Sequence, residues 1–446
     1  MSLYLRALII TLSFPLFLQA SNKAKSDSID NKSGMKYGIL PSIAYDSDLG
    51  LQYGGLVNFF WYGDGKTYPV YHHSLYLEAS QYTSGTGLAR VYYDSPNLIK
   101  GIRTTADFTY FNDLANDFYG FNGYRAVLNP HWEDQNHPEY KTRVFYSHYR
   151  QMTRVMTNFK GKISKNYPNL KWMAGFTLFN MNIGSTKIDK LNKRISDDKL
   201  LPDTAGLYDL YSEWGLIKPS EINGGTNTYV KLGLSYDNRD FEANPGKGMW
   251  TEVFLSISPG FLSTNSSYAQ ISAIHRQYFS LKKNKLIFAY RLGVQSKISG
   301  DIPFYLLPHL LSSNLTSATS QGLGGSKTLR GIRRNRIVGE GVFLSNLELR
   351  WKIFEAKLFK QDFYMANNTF IDFGRVIKQY DVDYSLIPEE DRISYVRDES
   401  EKMHVSFGTG LKFALNENFI LSVDYGHATS NDDGTSGVYI LLNYLF

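Results

Sequence analysis

Cysteine is absent from all 446 residues. That excludes a disulfide framework, thiol catalysis and cysteine-ligated zinc or iron–sulfur centres. Charge of one sign is not concentrated anywhere. The formal net charge of +6 is spread along the chain, with no Lys/Arg tract suited to nucleic acid, so no nucleic-acid partner is expected. Charged residues make up 20% of the chain, which excludes bulk disorder. Beyond residue 20 no apolar run reaches 18 residues, so no transmembrane helix is expected.

The signatures of an enzyme are missing too. His72, His73, His131, His137, His148, His275, His309, His404 and His427 are scattered without metal-ligand spacing. There is no Gly-x-Ser-x-Gly elbow and no phosphate loop. His73 and Ser74 are adjacent on a candidate strand and point to opposite faces, so they cannot act on each other. No catalytic residue, metal or cofactor is expected. The acidic run Asp381, Asp383, Glu389, Glu390 and Asp391 could bind divalent cations or bridge lipopolysaccharide, but a solvated outer loop explains it more simply.

What is present is aromatic and alternating. Tyr (33), Phe (28) and Gly (37) are abundant. Residues 1–20 read as a signal peptide: a basic start ending at Arg6, an apolar stretch Ala7–Leu18, and Ala20 before Ser21. The stretch is about a dozen residues, short of the ~20 that a spanning helix needs. Residues 21–35 are polar and read as a short flexible tail.

From residue 36 onward the hydrophobic period is two. Val253, Leu255 and Ile257 oppose Glu252, Ser256 and Ser258; Val438, Ile440, Leu442, Tyr444 and Phe446 share the final face. Three features separate a membrane barrel from a soluble sandwich. The tracts mostly run 10–15 residues, against the five or six usual in globular strands. Aromatics such as Tyr45, Trp61, Tyr110, Trp250 and Tyr425 recur near tract ends, as interfacial girdles require. Charges sit mid-strand on the polar face (Glu78, Arg90, Arg103, Asp107, Arg276, Arg291, Glu348, Asp372), which a wet lumen tolerates and a dry sandwich core does not.

Sixteen tracts are expected: 36–46, 49–62, 72–83, 87–95, 101–112, 141–163, 169–183, 225–237, 248–262, 266–280, 285–297, 342–354, 362–376, 403–415, 418–428 and 436–446. The long connections 113–140, 184–224, 298–341 and 377–402 all follow odd-numbered tracts; the longest after an even one is 238–247. Even strand number, short periplasmic turns and long outer loops characterise bacterial outer-membrane barrels. Hydrocarbon offers an open sheet edge no partners, so the barrel must close. The fold class is therefore all-β: a 16-stranded antiparallel transmembrane barrel over 36–446 in the bacterial outer membrane.

The most specific text is GLGGSKTLRGIRRNRIVGEGVFLSNLELRW (322–351), followed by TFIDFGRV and preceded by YDNRDFEANPGKG (236–248). It resembles the bacterial surface antigen family of BamA/TamA-type barrels and two-partner secretion transporters. The resemblance is clearest over 225–446. It implies that the connection 298–341, between strands 11 and 12, folds into the lumen. Its tip would be Leu329, Arg330, Gly331 and Ile332, meeting inward Glu348 and the Phe370-x-Asp372-x-Gly374 motif of strand 13. An Arg330 fork suits a carboxylate bidentately, and Gly331 permits close backbone approach. Swapping the charges of Arg330 and Asp372 is then expected to restore what either single change loses. Ile332 stands where the family has an aromatic residue, so a looser tip is expected. The alternating Ile440, Leu442, Tyr444 and Phe446 resemble the C-terminal signal read by barrel-assembly machinery.

Members that assemble or secrete proteins carry POTRA repeats before the barrel, and only about fifteen residues separate the signal peptide from strand one. The resemblance therefore implies a barrel-only member for protein or lipid insertion or translocation, with outer-membrane lipid and lipopolysaccharide, the barrel-assembly machinery and a separate periplasmic protein as partners. A passive or gated pore, or a structural or adhesive surface protein, are the alternatives.

Overall fold

The computed structural model describes residues 33–446 except 68–69, 194–195, 197–199, 243, 265, 284, 311–321, 359–360, 399 and 416–418. The signal peptide and nearly all of the polar tail lie outside the described residues. Sixteen strands are described: β1 (Met35–Asp46), β2 (Gly50–Trp61), β3 (His73–Tyr82), β4 (Gly87–Ile99), β5 (Ile102–Asp117) and β6 (Ser147–Lys162). They continue as β7 (Leu170–Gly184), β8 (Gly224–Asp237), β9 (Gly248–Ser258), β10 (Tyr268–Lys282) and β11 (Leu286–Gly300). The last five are β12 (Gly341–Leu358), β13 (Gln361–Lys378), β14 (His404–Leu415), β15 (Phe419–Ala428) and β16 (Ser436–Leu442). Each pairs antiparallel with its sequence neighbours, and β1 meets β16 to close the barrel. Among the described residues no helix is long and apolar enough to cross a membrane.

The two-residue period sorts side chains between lipid and lumen. On β8, Leu232 and Leu234 are 55% and 50% exposed on the outer face, while Lys231 and Ser235 on either side of them are 2% and 1% exposed. Inward charges find partners. Asp107 on β5 takes Arg90 of β4 at 2.7 Å and Arg154 of β6 at 2.9 Å. Such pairing is what makes an ionised inner wall tolerable where water is scarce.

The four long connections, 118–146, 185–223, 301–340 and 379–403, all follow odd-numbered strands and emerge at one end. After even-numbered strands the longest is 62–72, not 238–247. The long connections build one aromatic cap. Phe118, Phe121, Tyr208, Tyr211, Phe304 and Tyr380, drawn from all four, are buried in a single cluster. Phe118 meets Tyr211 edge-on at 5.5 Å and Phe121 meets Tyr380 at 4.5 Å, within the range where aromatic pairs attract. Lys141 lies 4.2 Å from the Trp132 ring centroid. Burial there holds its ammonium below the ordinary lysine range.

Two strand bounds differ from the sequence reading for identifiable reasons. The tract 141–163 was too long for one strand. Residues 141–146 belong to the cap, where Phe145 and Tyr146 are buried, and β6 starts at Ser147. The final tract ends at Leu442, because Asn443 adopts a left-handed φ of 69° and breaks the extended backbone. Tyr444 and Phe446 therefore leave the outer face that Ile440 and Leu442 occupy. Tyr444 is buried with Tyr364, Ala366, Ala414 and Ile420. The expected face is thus split, with Val438, Ile440 and Leu442 on the strand and Tyr444 and Phe446 beyond it.

Candidate functional site

The segment 322–340 packs against inward faces of β11, β12, β13, β15 and β16, and four arginines organise it. Arg330 Nε donates to Asp372 Oδ2 and its Nη2 to Asp372 Oδ1, both at 3.0 Å, while its backbone N–H reaches Oδ2 at 3.1 Å. Its Nη1 lies 2.9 Å from Glu348 Oε1 and 3.7 Å from Asp424 Oδ2. The guanidinium carbon stands 3.4 Å from the centre of the Phe370 ring. One buried cation thus faces three buried carboxylates and an aromatic face.

All three carboxylates have further partners, Glu348 accepting from Arg350 Nε at 2.8 Å. Asp372 also accepts from Asn346 Nδ2 at 2.7 Å, and the same amide donates to the Thr328 carbonyl at 2.6 Å. Asp424 accepts from Lys412 Nζ at 2.7 Å. Arg291 on β11 ties Asn346 to the carbonyl of Lys327. Arg291 and Asp424 had no signal in the motif, since neither is near 322–351 or 370–374. Only their inward parity could have marked them.

This geometry argues against full recovery from a charge swap. An Asp at 330 would gain an Arg at 372 but stand beside Glu348 and Asp424, which would lose their shared cation, and the Arg at 372 would meet the Asn346 donor. Like charges in a buried site repel strongly.

The glycines are placed by contact. Gly331 has φ 96°, and a Cβ there would lie 2.5 Å from the backbone of Gly426 and His427. Its N–H donates to the Tyr439 hydroxyl at 3.1 Å, tying the tip to β16. A Cβ at Gly374 would strike Leu329 Cδ1 at 2.7 Å and Leu323 Cδ1 at 2.9 Å. The loose tip expected from Ile332 is not what the structure has. Ile332 is fully buried in an aliphatic cluster with Leu323, Leu329, Ile337, Val342 and Val376. The ring against the arginine comes from Phe370 on the wall instead.

The other three arginines reach the cap. Arg333 pairs with Glu133 at 2.5 Å and Arg334 with Asp117 at 2.6 Å. Arg336 donates to the carbonyls of Gly123, Ala126 and Asp432 at 3.0, 2.9 and 2.7 Å. The segment therefore joins the barrel wall to the connections around it.

Beside it lies the seam. β1 aligns with β2 along its whole length, from Met35 opposite Trp61 to Asp46 opposite Gly50. Against β16, among the described residues, only Tyr45–Ile440 and Asp46–Tyr439 are paired. The Ser47 hydroxyl extends this by one step, donating to the Val438 carbonyl at 3.1 Å and accepting its N–H at 2.7 Å.

Residues 84–445 match the Omp85 superfamily domain. The chain belongs to the Omp85 superfamily. No curated protein sequence matches it significantly. Among solved structures it resembles BamA from Haemophilus ducreyi lacking POTRA domains 1-3, at 14% identity and a TM-score of 0.56, over 92% of this chain and 70% of that one. It also resembles CdiB from Escherichia coli, at 10% identity and a TM-score of 0.53, over 90% of this chain. This chain spans 62% of that CdiB. At such identities the likeness is one of fold. The Omp85 chain is an integral outer-membrane β-barrel.

The acidic residues Asp381, Asp383, Glu389 and Glu390 are exposed on the 379–403 connection. Among the described residues no three His, Asp or Glu side chains converge as a metal site would require. His73 bonds Tyr93 and Ser74 bonds Asn58, on opposite sides of β3.

Proposed function

We propose that this Omp85 barrel inserts or translocates protein, or lipid, at the β1–β16 seam, and that segment 322–340 is a lumen brace for that work. The observation that carries the reading is the contrast along β1. One edge is fully paired and the other is paired only at Tyr45 and Asp46. An unpaired strand edge is a template for another strand. The brace holds β13 through Arg330–Asp372 and β16 through Gly331–Tyr439, so the wall behind the seam stays fixed. Client delivery by a separate periplasmic protein is part of the proposal, and co-purification from mild detergent tests it.

The direct test locks the seam. A disulfide joining Tyr45→Cys to Ile440→Cys should deplete client proteins or lipid from the outer membrane, with recovery on reduction. An outer-membrane proteome and lipid profile unchanged by both locking and depletion would remove the proposal. A passive pore is the second reading, favoured by the charged inner wall. The aromatic cap opposes it. Large, steady, size-selective bilayer conductance, unaffected by Arg330→Ala, would support a pore. Depletion that affects only attachment to surfaces would support an adhesive role.

A further inference from the structure

We infer that the lumen wall around Arg350 is a binding site for an aromatic-x-aromatic peptide segment, which the chain's own Tyr444-Leu445-Phe446 occupies. The tail had an alternative. Continuing the Tyr45–Ile440 register would set Leu442 against Ile43 and Tyr444 against Pro41. Pro41 has no N–H to offer that ladder. Instead the chain turns at Asn443, whose φ is 69°, and enters the lumen.

There it meets a prepared surface. The Arg350 guanidinium carbon lies 4.3 Å from the Tyr444 ring centre and 5.0 Å from that of Phe446. Its Nη2 donates to a terminal backbone oxygen of Phe446 at 2.8 Å, and Glu348 fixes its Nε at 2.8 Å. Arg291 stands over the other side of Phe446 at 5.4 Å, and Tyr278 flanks it at 6.2 Å. Two donors beside the tail, Arg350 Nη1 and the Tyr278 hydroxyl, are buried and make no hydrogen bond within the protein. Buried donors left unused beside a bound segment are features of a ligand site. Cations stacked on aromatic rings select the side chains. The resident segment lies two to four residues beyond the end of β16, and Phe446 is only half-buried, so its release leaves the strand ladder intact. Capture of a client's segment in its place rests on the transport role proposed above.

The test uses the full barrel in detergent and a synthetic peptide of residues 440–446, with a control carrying Ala for Tyr and Phe. In the Tyr444→Ala/Phe446→Ala barrel, a photo-crosslinker replacing Tyr278 should capture the peptide saturably. The wild-type tail should raise the peptide concentration needed. Arg350→Lys in the vacated barrel should weaken capture about tenfold, the loss of one charged hydrogen bond. No saturable capture by a vacated barrel that still shows heat-modifiable migration, equal capture of the control, or capture only from a crosslinker at Ile43, would overturn the site. Should the vacated barrel not fold, the crosslinker at Tyr278 should react with the barrel's own tail, and added peptide should compete. Failure to compete would equally overturn it. Peptide capture without any client effect on depletion would retain the site and sink the transport role.

Discussion

The β12–β13 wall and the β1 edge are built from the same alternating pattern and end in opposite conditions. β12 and β13 align from Gly341–Lys378 to Leu358–Gln361, and their inward Glu348 and Asp372 are buried against Arg330. β1 has neighbours on one side only over most of its length, and Ile39 is 71% exposed with Leu40, of opposite parity, at 48%. Alternation selects a face, but it does not decide whether that face or edge finds a partner. In the first region a loop supplies the partner. In the second the partner strand turns away at Asn443.

The comparison can be broken most severely at Arg330. Arg330→Ala leaves Asp372, Glu348 and Asp424 without their shared cation, and a loss of about 3–5 kcal/mol is expected, as for a broken buried pair. Urea titration followed by heat-modifiable gel migration checks it. The Arg330→Asp/Asp372→Arg double variant should recover only part of the lost stability, because Glu348 and Asp424 remain beside position 330; full recovery would show a simple isolated pair. Next in size is Gly331→Ala. The positive φ and the 2.5 Å approach to Gly426 and His427 should cost about 1–3 kcal/mol, and protease should then cut 322–340 faster.

A smaller effect is expected from Arg336→Met, which withdraws donors from the Gly123 and Ala126 carbonyls. About 1–3 kcal/mol should be lost locally, read as faster amide exchange in 118–146 with unchanged exchange in β12 and β13. The smallest concerns the seam. Pro41→Thr restores an N–H to the free edge and should add only about 0.2–1 kcal/mol, that of a cross-strand pair. It should still raise the yield of a disulfide between Ile43→Cys and Leu442→Cys. An unchanged yield would show that the proline does not limit pairing.

Much of the barrel was legible because its cause is local. A strand's side chains alternate by backbone geometry alone, so Leu232 and Lys231 sort themselves wherever the strand lies. The Arg330, Glu348 and Asp372 grouping was readable because 322–351 and 370–374 resemble a known family's motif, and an arginine fork suits inward carboxylates. Less legible were Arg291 and Asp424, whose roles depend on which strands become neighbours across the lumen. The Arg333, Arg334 and Arg336 contacts to the cap depend on the packing of connections that carry no period at all. Ile332 was misread for a similar reason. The aromatic ring it lacks is supplied by Phe370, 38 positions along the chain.

The sequence by itself determined the strands, their number, their inward and outward faces and the end from which the long connections leave, because those follow from a two-residue period and from turns. Only the tertiary structure decided where the edge stays unpaired, which three carboxylates share Arg330, and that Tyr444 and Phe446 turn into the lumen. Those outcomes are set by closure of the barrel, which brings residues distant in sequence to within a few ångströms of each other.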